Sequence, residues 1–462
     1  MRDLTRGPLT GHVIAMAIPI AVGMVVQTLY YLVDLYFVSR LGGTVLAGVS
    51  AAGNIFFLGL ALTQSLSVGT IALVSHATGR RDQAEANLVF NQAVFAAFVL
   101  AAFVLLGGYV GLADLYVATI GADEGTIAAG IAYLRWFLPA IAFSFGTTAM
   151  GAALQGTGIV KPNMIVQMIA VVANTILTPI LITGWGFGVP LGVVGAALGS
   201  SIAALIGLTL MTLYYVKLER YVAIEPSLWR PNLSVLKRMF AVGLPSGGEF
   251  ALMFVYMGVV YTVIRPFGAS AQAGFGAGGR VMQSVFLPAM SIAFAVPAIA
   301  GQNFGARDGA RVRGTFRTAA LMSAAIMTLI TGLCKWRPAL LVGPFASDPE
   351  VLAVASVFLS IISWNFVPTG VVFTCSGMFQ GMGNTLPSLA STATRIVTFL
   401  GPVLWLSARP GFRIEQVWYA SATAVTLQAL LSVGLVHWQF AKRLAFERER
   451  PGPTRDVLAT GS

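Results

Sequence analysis

The sequence predicts an all-α integral membrane protein: twelve transmembrane helices in two pseudo-symmetric six-helix lobes. Three observations carry this. The 462 residues are 57% hydrophobic and 10% charged, with a mean hydropathy of +0.82. A soluble globular chain carries roughly 25% charged residues, so this composition cannot coat a water-facing surface of such size. Apolar runs of about 20 residues or more recur along the whole chain, each long enough to cross a ~30 Å hydrocarbon layer. Finally, the chain repeats itself at a shift of about 225 residues.

The expected spans, in order, are 13–38, 51–75, 88–112, 128–153, 163–184, 188–215, 240–264, 273–299, 314–334, 351–378, 387–407 and 416–439. Barrel strands would be about 10 residues long with alternating polarity, a pattern absent from the chain. Arg2 and Arg6 precede the first run as in a signal peptide, but no small-residue cleavage site closes it, so it is expected to be a retained helix. With the N-terminus inside, 19 Lys/Arg fall on the cytoplasmic side and six outside, with Arg135, Arg280 and Arg395 inside spans. This asymmetry places both termini in the cytoplasm. The formal charge of +11 is loop charge facing an anionic leaflet rather than a nucleic-acid surface. The expected organisation is a first lobe over 1–216, a cytoplasmic linker over 217–239, a second lobe over 240–441 and a charged, disordered tail over 442–462.

The repeat is carried by three segments. Gly79-Arg80-Arg81-Asp82 returns as Gly305-Ala306-Arg307-Asp308, and Gln155-Gly-Thr-Gly158 with Pro162 returns as Gln380-Gly-Met-Gly383 with Pro387. Pro19, Tyr30, Gly42, Ala47 and Gly48 return as Pro245, Tyr256, Gly268, Ala273 and Gly274. Six helices per repeat is an even number, so both halves enter the membrane with the same orientation. They are parallel repeats flanking a cleft, an arrangement suited to alternating access. A duplicated scaffold without transport is the bland alternative, but a scaffold does not need intramembrane acids.

Only two of the 17 acids lie within the spans, Asp34 and Glu249. Asp34 stands in Gln27-Thr-Leu-Tyr-Tyr-Leu-Val-Asp-Leu-Tyr-Phe-Val38, otherwise almost wholly apolar or aromatic. An ionised acid there must pair or take up a proton, and an organic cation and H⁺ neutralise the same charge. Tyr30 lies one turn before Asp34 on the same face. Asp34 and Glu249 are separated by roughly 16 Å along the membrane normal, too far to share one ion. Arg395 is a candidate partner for Glu249, while Arg135 and Arg280 are placed to snorkel.

Taken together, Val33-Asp34-Leu-Tyr-Phe-Val-Ser-Arg-Leu-Gly42 with Ala47-Gly48, Tyr133-Leu-Arg-Trp136, Gln155-Gly-Thr-Gly158 with Pro162, Asn174-Thr-Ile-Leu-Thr-Pro179, Gly195-Ala-Ala197 and Gly301-Gln-Asn-Phe-Gly305 resemble the multidrug and toxic compound extrusion (MATE) transporters of bacterial type. The resemblance runs through nearly all twelve helices. It implies a V-shaped fold in the cell inner membrane, export of organic cations or other amphipathic drugs, and antiport against H⁺ or Na⁺. By resemblance, Asp34 is a cation-coupling residue, joined by Tyr30, Asn174 and Ser200. The family's second acid, four residues after that Asn, is Thr178 here, which removes one carboxylate from the first lobe. The family's seventh-helix acid falls at Met253, so Glu249 comes one turn early, as a cation-attracting group in the second lobe.

Gln27, Tyr31, Asn54, Gln64, Met253, Met257 and Gln283 are substrate-cavity candidates by helix position, with packing or lipid contact as the plainer alternative for each. No cofactor is expected, and the only metal role left open is Na⁺ at Asp34. His12, His76 and His437 are far apart and near run ends, and Cys334 and Cys375 lack metal-ligand spacing. Gly274-Phe-Gly276-Ala-Gly-Gly279 matches a dinucleotide loop only formally, and no P-loop occurs. Partners are expected to be small drug-like molecules and membrane lipid, with the protein a monomer. A lipid-linked precursor flippase of the same superfamily is the alternative function. An integral membrane enzyme would need clustered nucleophiles or ligands, which the sequence lacks.

Overall fold

The computed structural model describes residues 1–120, 123–186, 188–345 and 348–447, the side chains of 51, 54–58, 112, 113, 116, 119, 120 and 447 excepted. The charged tail from 448 therefore lies outside the described residues. Twelve helices are long and apolar enough to cross a membrane, and no strand occurs among the described residues. They are α1 (Leu9–Ser39), α2 (Gly43–Gly79), α3 (Gln83–Gly107), α4 (Glu124–Gly156), α5 (Lys161–Thr183) and α6 (Gly192–Lys217). The second set is α7 (Leu233–Ile264), α8 (Ala269–Gly305), α9 (Gly309–Trp336), α10 (Pro349–Gly381), α11 (Leu386–Ser407) and α12 (Ile414–Arg443). A 3₁₀ turn, Ser363–Asn365, interrupts α10.

Packing repeats as the sequence does. In the first lobe α2 packs on α3 and α4, α4 on α3 and α6, α5 on α6, and α1 on α5. In the second, α8 packs on α9 and α10, α10 on α9 and α12, α11 on α12, and α7 on α11. Each contact has its counterpart six helices later.

The repeated motifs become identical turns. Arg81 (φ 60°) and Arg307 (φ 56°) both sit in the left-handed region, which ends α2 and α8 alike. The next residues, Asp82 and Asp308, cap α3 and α9 by accepting from the Glu85 and Arg311 N–H groups at 2.9 Å each. Gly158 (φ +82°) and Gly383 (φ +69°) close the second pair of turns.

The segment between the two sets of helices is held against the first. α7 begins at Leu233, capped by Asn232, and three amides of α3 satisfy the backbone before it, which includes the 3₁₀ turn Pro226–Trp229. Asn87 Oδ1 accepts from the Ala223 N–H and Asn91 Oδ1 from that of Glu225, both at 2.8 Å. Gln92 Nε2 donates to the Leu228 and Arg230 carbonyls, and its Oε1 accepts from the Asn232 N–H. Buried backbone without such partners would be costly, and a polar face on an otherwise apolar helix is the means of supplying them.

Candidate functional site

Asp34 is placed by α1 one turn beyond Tyr30, and Tyr30 turns that face inward. Its hydroxyl donates to Ser200 Oγ on α6 at 2.8 Å. Ser200 Oγ lies 3.5 Å from Asn174 Oδ1 on α5, which also accepts from Thr178 Oγ1 at 3.2 Å. Asn174, Thr178 and Ser200 are fully or almost fully buried. The structure thus brings together Tyr30, Asn174 and Ser200 as the sequence suggested, with Asp34 at the next turn of the same helix. Asp34 is half-buried, and its Oδ1 is a buried atom with no hydrogen-bond partner among the described residues; Asn174 Nδ2 is in the same condition.

Two members of this group were not assigned from sequence. Thr178, seen there only as a missing acid, is a donor to Asn174. Tyr133 of α4 is buried within electrostatic reach of Asp34. Its signal was present, as a tyrosine inside a span, but nothing in the sequence set it beside α1.

The second lobe repeats the frame and changes the charge. Tyr256 of α7 and Ser421 of α12 share a 2.8 Å hydrogen bond, the counterpart of Tyr30–Ser200. The residue one turn after Tyr256 is Val260, 2% exposed, where the first lobe has Asp34. The Arg395 guanidinium stacks on the Tyr256 ring, 4.3 Å from its centroid. Its expected pairing with Glu249 is absent among the described residues. Glu249 instead accepts from Ser376 Oγ of α10 at 3.3 Å and from Ser388 of α11. Residues 249 and 256 lie about 10 Å apart along α7, which puts Arg395 at a different depth. Arg135 is ion-paired with Asp114.

Among the cavity candidates, Gln27, Tyr31, Met253 and Gln283 are exposed, Gln64 is half-buried, and Met257 packs against the second lobe's core. The Asn54 side chain lies outside the described residues. No group of three or more His, Cys, Asp or Glu among the described residues could hold a metal ion. The three histidines make polar contacts with backbone carbonyls.

The lobes meet through α1 on α8, α2 on α7 and α2 on α8, at the end of the bundle where Leu4 packs near the last turns of α12. The approaches are main chain against main chain. A Cβ at Gly79 would lie 2.0 Å from the Gln302 carbonyl oxygen, and one at Gly305 would lie 2.2 Å from that of His76. On the α2–α7 side, a Cβ at Gly69 would lie 2.2 Å from the Met239 carbonyl oxygen and one at Gly243 1.9 Å from that of Ser65. Two side chains clasp this seam in pseudo-symmetric fashion. His76 Nε2 donates to the Gly381 carbonyl at 2.7 Å, and Gln302 Nε2 to the Gly156 carbonyl at 3.0 Å. Towards the opposite end, Gly48 packs on Gly130 and Gly274 on Val354, each within its own lobe.

This arrangement matches known proteins throughout. The MatE family model matches residues 19–180 and again 245–404, once per lobe. The multidrug export protein MepA of Staphylococcus aureus (strain MSSA476) is 25% identical over 442 residues, covering 94% of each chain. The probable multidrug resistance protein YoeA of Bacillus subtilis (strain 168) is 24% identical, covering 92% of this chain and 93% of its own. A solved MATE in its bent conformation superposes with a TM-score of 0.90 at 23% identity, covering 96% of this chain and 98% of the other. An outward-facing MATE transporter of the MOP superfamily superposes with a TM-score of 0.88 at 24% identity, covering 95% and 98%. The double match and the doubled packing together mean that the chain belongs to the MatE family of multi-pass membrane transporters.

Proposed function

We propose that this protein is a secondary active antiporter that exports organic cations or other amphipathic drugs in exchange for H⁺ or Na⁺ by alternating access. One observation carries the reading: a carboxylate oxygen of Asp34 buried without a partner, beside the Tyr30–Ser200–Asn174 network. An ionised acid in an apolar interior is costly, and any cation that reaches it relieves the cost. A proton needs only the carboxylate. Na⁺ is a hard cation that prefers oxygen donors, which Asn174 Oδ1 and the Ser200 and Thr178 hydroxyls supply. Since the coupling ion and a cationic passenger neutralise the same charge, occupancy by one disfavours the other, and exchange follows.

Glu249, held by Ser376 and Ser388 rather than by an arginine, is a carboxyl that an incoming cation would find unmatched in the second lobe. Relatives named as a multidrug export protein and a probable multidrug resistance protein support drug-like passengers. The orientation follows the charge asymmetry, with both termini and the closed seam on the cytoplasmic side. In this state the cleft is poised to open outward, and rocking the two lobes about the seam would expose it to the other face.

The test is efflux of a fluorescent organic cation from proteoliposomes under an imposed pH or Na⁺ gradient, wild type against Asp34→Asn. Gradient-driven efflux in the wild type and its loss in a variant that still inserts are expected. Efflux that responds to neither gradient would sink the antiporter reading.

A further inference from the structure

The segment before α1 is not a loose end. Leu4 is fully buried, in a cluster that takes Ile71, Ala152 and Val160 from the first lobe and Ile292, Val296 and Ile299 from the second. Its backbone is fully engaged by the second lobe. The Leu4 N–H donates to Gln302 Oε1 at 3.0 Å, and its carbonyl accepts from Asn303 Nδ2 at 3.3 Å and Arg311 Nη2 at 3.2 Å. Arg311 Nη1 also donates to the Gly7 carbonyl at 3.0 Å. The residues around Leu4 hold the first lobe. The Arg2 N–H donates to the Thr157 carbonyl at 2.8 Å, where Gly158 leaves room for the Arg2 carbonyl. Asp3 lies 3.9 Å from Arg81, its carboxyl held below the usual range by the Thr5 hydroxyl.

Gln302 is the junction. Its Oε1 holds the strap and its Nε2 holds the end of α4, so one side chain of the second lobe ties down two elements of the first. If the lobes part at this end, both bonds cannot persist, and the pocket around Leu4, built from both lobes, is split. α7, the counterpart of α1, has no such strap; its preceding segment is pinned on α3 instead.

We propose that residues 1–7 form a latch on the closed end of the cleft, with Leu4 as the wedge and Gln302 as its clasp, and that the latch must release before the cleft can open on that side. This rests on the alternating-access reading. The clasp is a positioning device: it touches neither passenger nor coupling ion and acts by holding one state.

The experiment reads opening directly. Val68, buried in the seam against Val242, is replaced (Val68→Cys) in the full chain carrying Cys334→Ser and Cys375→Ser, reconstituted in proteoliposomes and exposed to N-ethylmaleimide. Leu4→Ser should speed labelling about tenfold, because a fully buried leucine is lost from the closed state alone. Gln302→Ala leaves Leu4 in place and should speed labelling about threefold, guarding against misfolding of the first variant. In a second preparation, cysteines introduced as Leu4→Cys and Asn303→Cys are bridged by a short bismaleimide, and the bridged protein should fail to transport while the unbridged one still does. Labelling within about twofold of the parent in both variants, or wild-type efflux by the bridged protein, would overturn the latch. Labelling requires neither drug nor ion coupling, so an antiport reading that failed on Asp34→Asn would leave this measurement intact.

Discussion

The two lobes share a frame and differ in what stands on it. Each sets a tyrosine on its first helix against a serine on its sixth, Tyr30 with Ser200 and Tyr256 with Ser421, both at 2.8 Å. One turn later the first lobe carries Asp34 with an unsatisfied oxygen, the second a valine sunk in apolar packing. Beside the tyrosine, the second lobe places the cation of Arg395 on the ring face. The tyrosine–serine pair joins the same two helices in both lobes; the first lobe alone sets an acid one turn beyond it, and in the reading proposed above that acid makes its tyrosine part of the coupling site.

The largest effect on this contrast should come from removing the acid. Asp34→Asn should reduce gradient-driven efflux to background while membrane insertion and monodispersity persist, measured by the proteoliposome assay alongside size-exclusion chromatography. The mirror experiment puts an acid where the second lobe has none. Val260→Asp should destabilise the protein by several kcal/mol, since it puts a carboxyl into a fully apolar packing position, and thermal unfolding in detergent would show it. An unfolding curve unchanged by Val260→Asp would mean that the second lobe is as hospitable to charge as the first.

Glu249→Gln should have an intermediate effect, raising the apparent KM for a cationic drug several-fold while leaving the gradient dependence unaltered. Loss of coupling in this variant would move the ion site to the second lobe. The smallest and most diagnostic effect is in the tyrosine pair. Tyr30→Phe and Tyr256→Phe should each cost about 1 kcal/mol of stability, but only Tyr30→Phe should change efflux. Equal effects on transport would erase the distinction between frame and site.

Much of this was legible in the sequence, and the reasons for the remainder are specific. Apolar runs and repeated turns are local properties, so the helices and both halves could be read directly. The N-lobe group could be named because Tyr30 and Asp34 share a helical face and Asn174 and Ser200 carried a family resemblance. Tyr133, Thr178 and the Glu249 partners depend on which face of a neighbouring helix turns inward, which linear spacing does not specify. Arg395 was matched to Glu249 by charge, but about 10 Å along α7 separates that acid from the ring the arginine covers. His76 finds its acceptor, Gly381, 305 positions away. α7 starts at Leu233, earlier than its apolar run, because Lys237 and Arg238 interrupt the hydrophobic pattern of its first turns.

The glycine contacts of the closed end invert the usual logic of mutational scanning. Elsewhere a substitution to alanine deletes atoms and reports what they did; at Gly79, Gly243 and Gly305 it inserts a methyl group where a carbonyl oxygen already stands about 2 Å away. Tolerance there has nothing to do with polarity or hydrophobicity, only with bulk. A chemically conservative change at these three sites should therefore act as a doorstop, and a library sorted for trapped conformers should be enriched in the mildest-looking replacements.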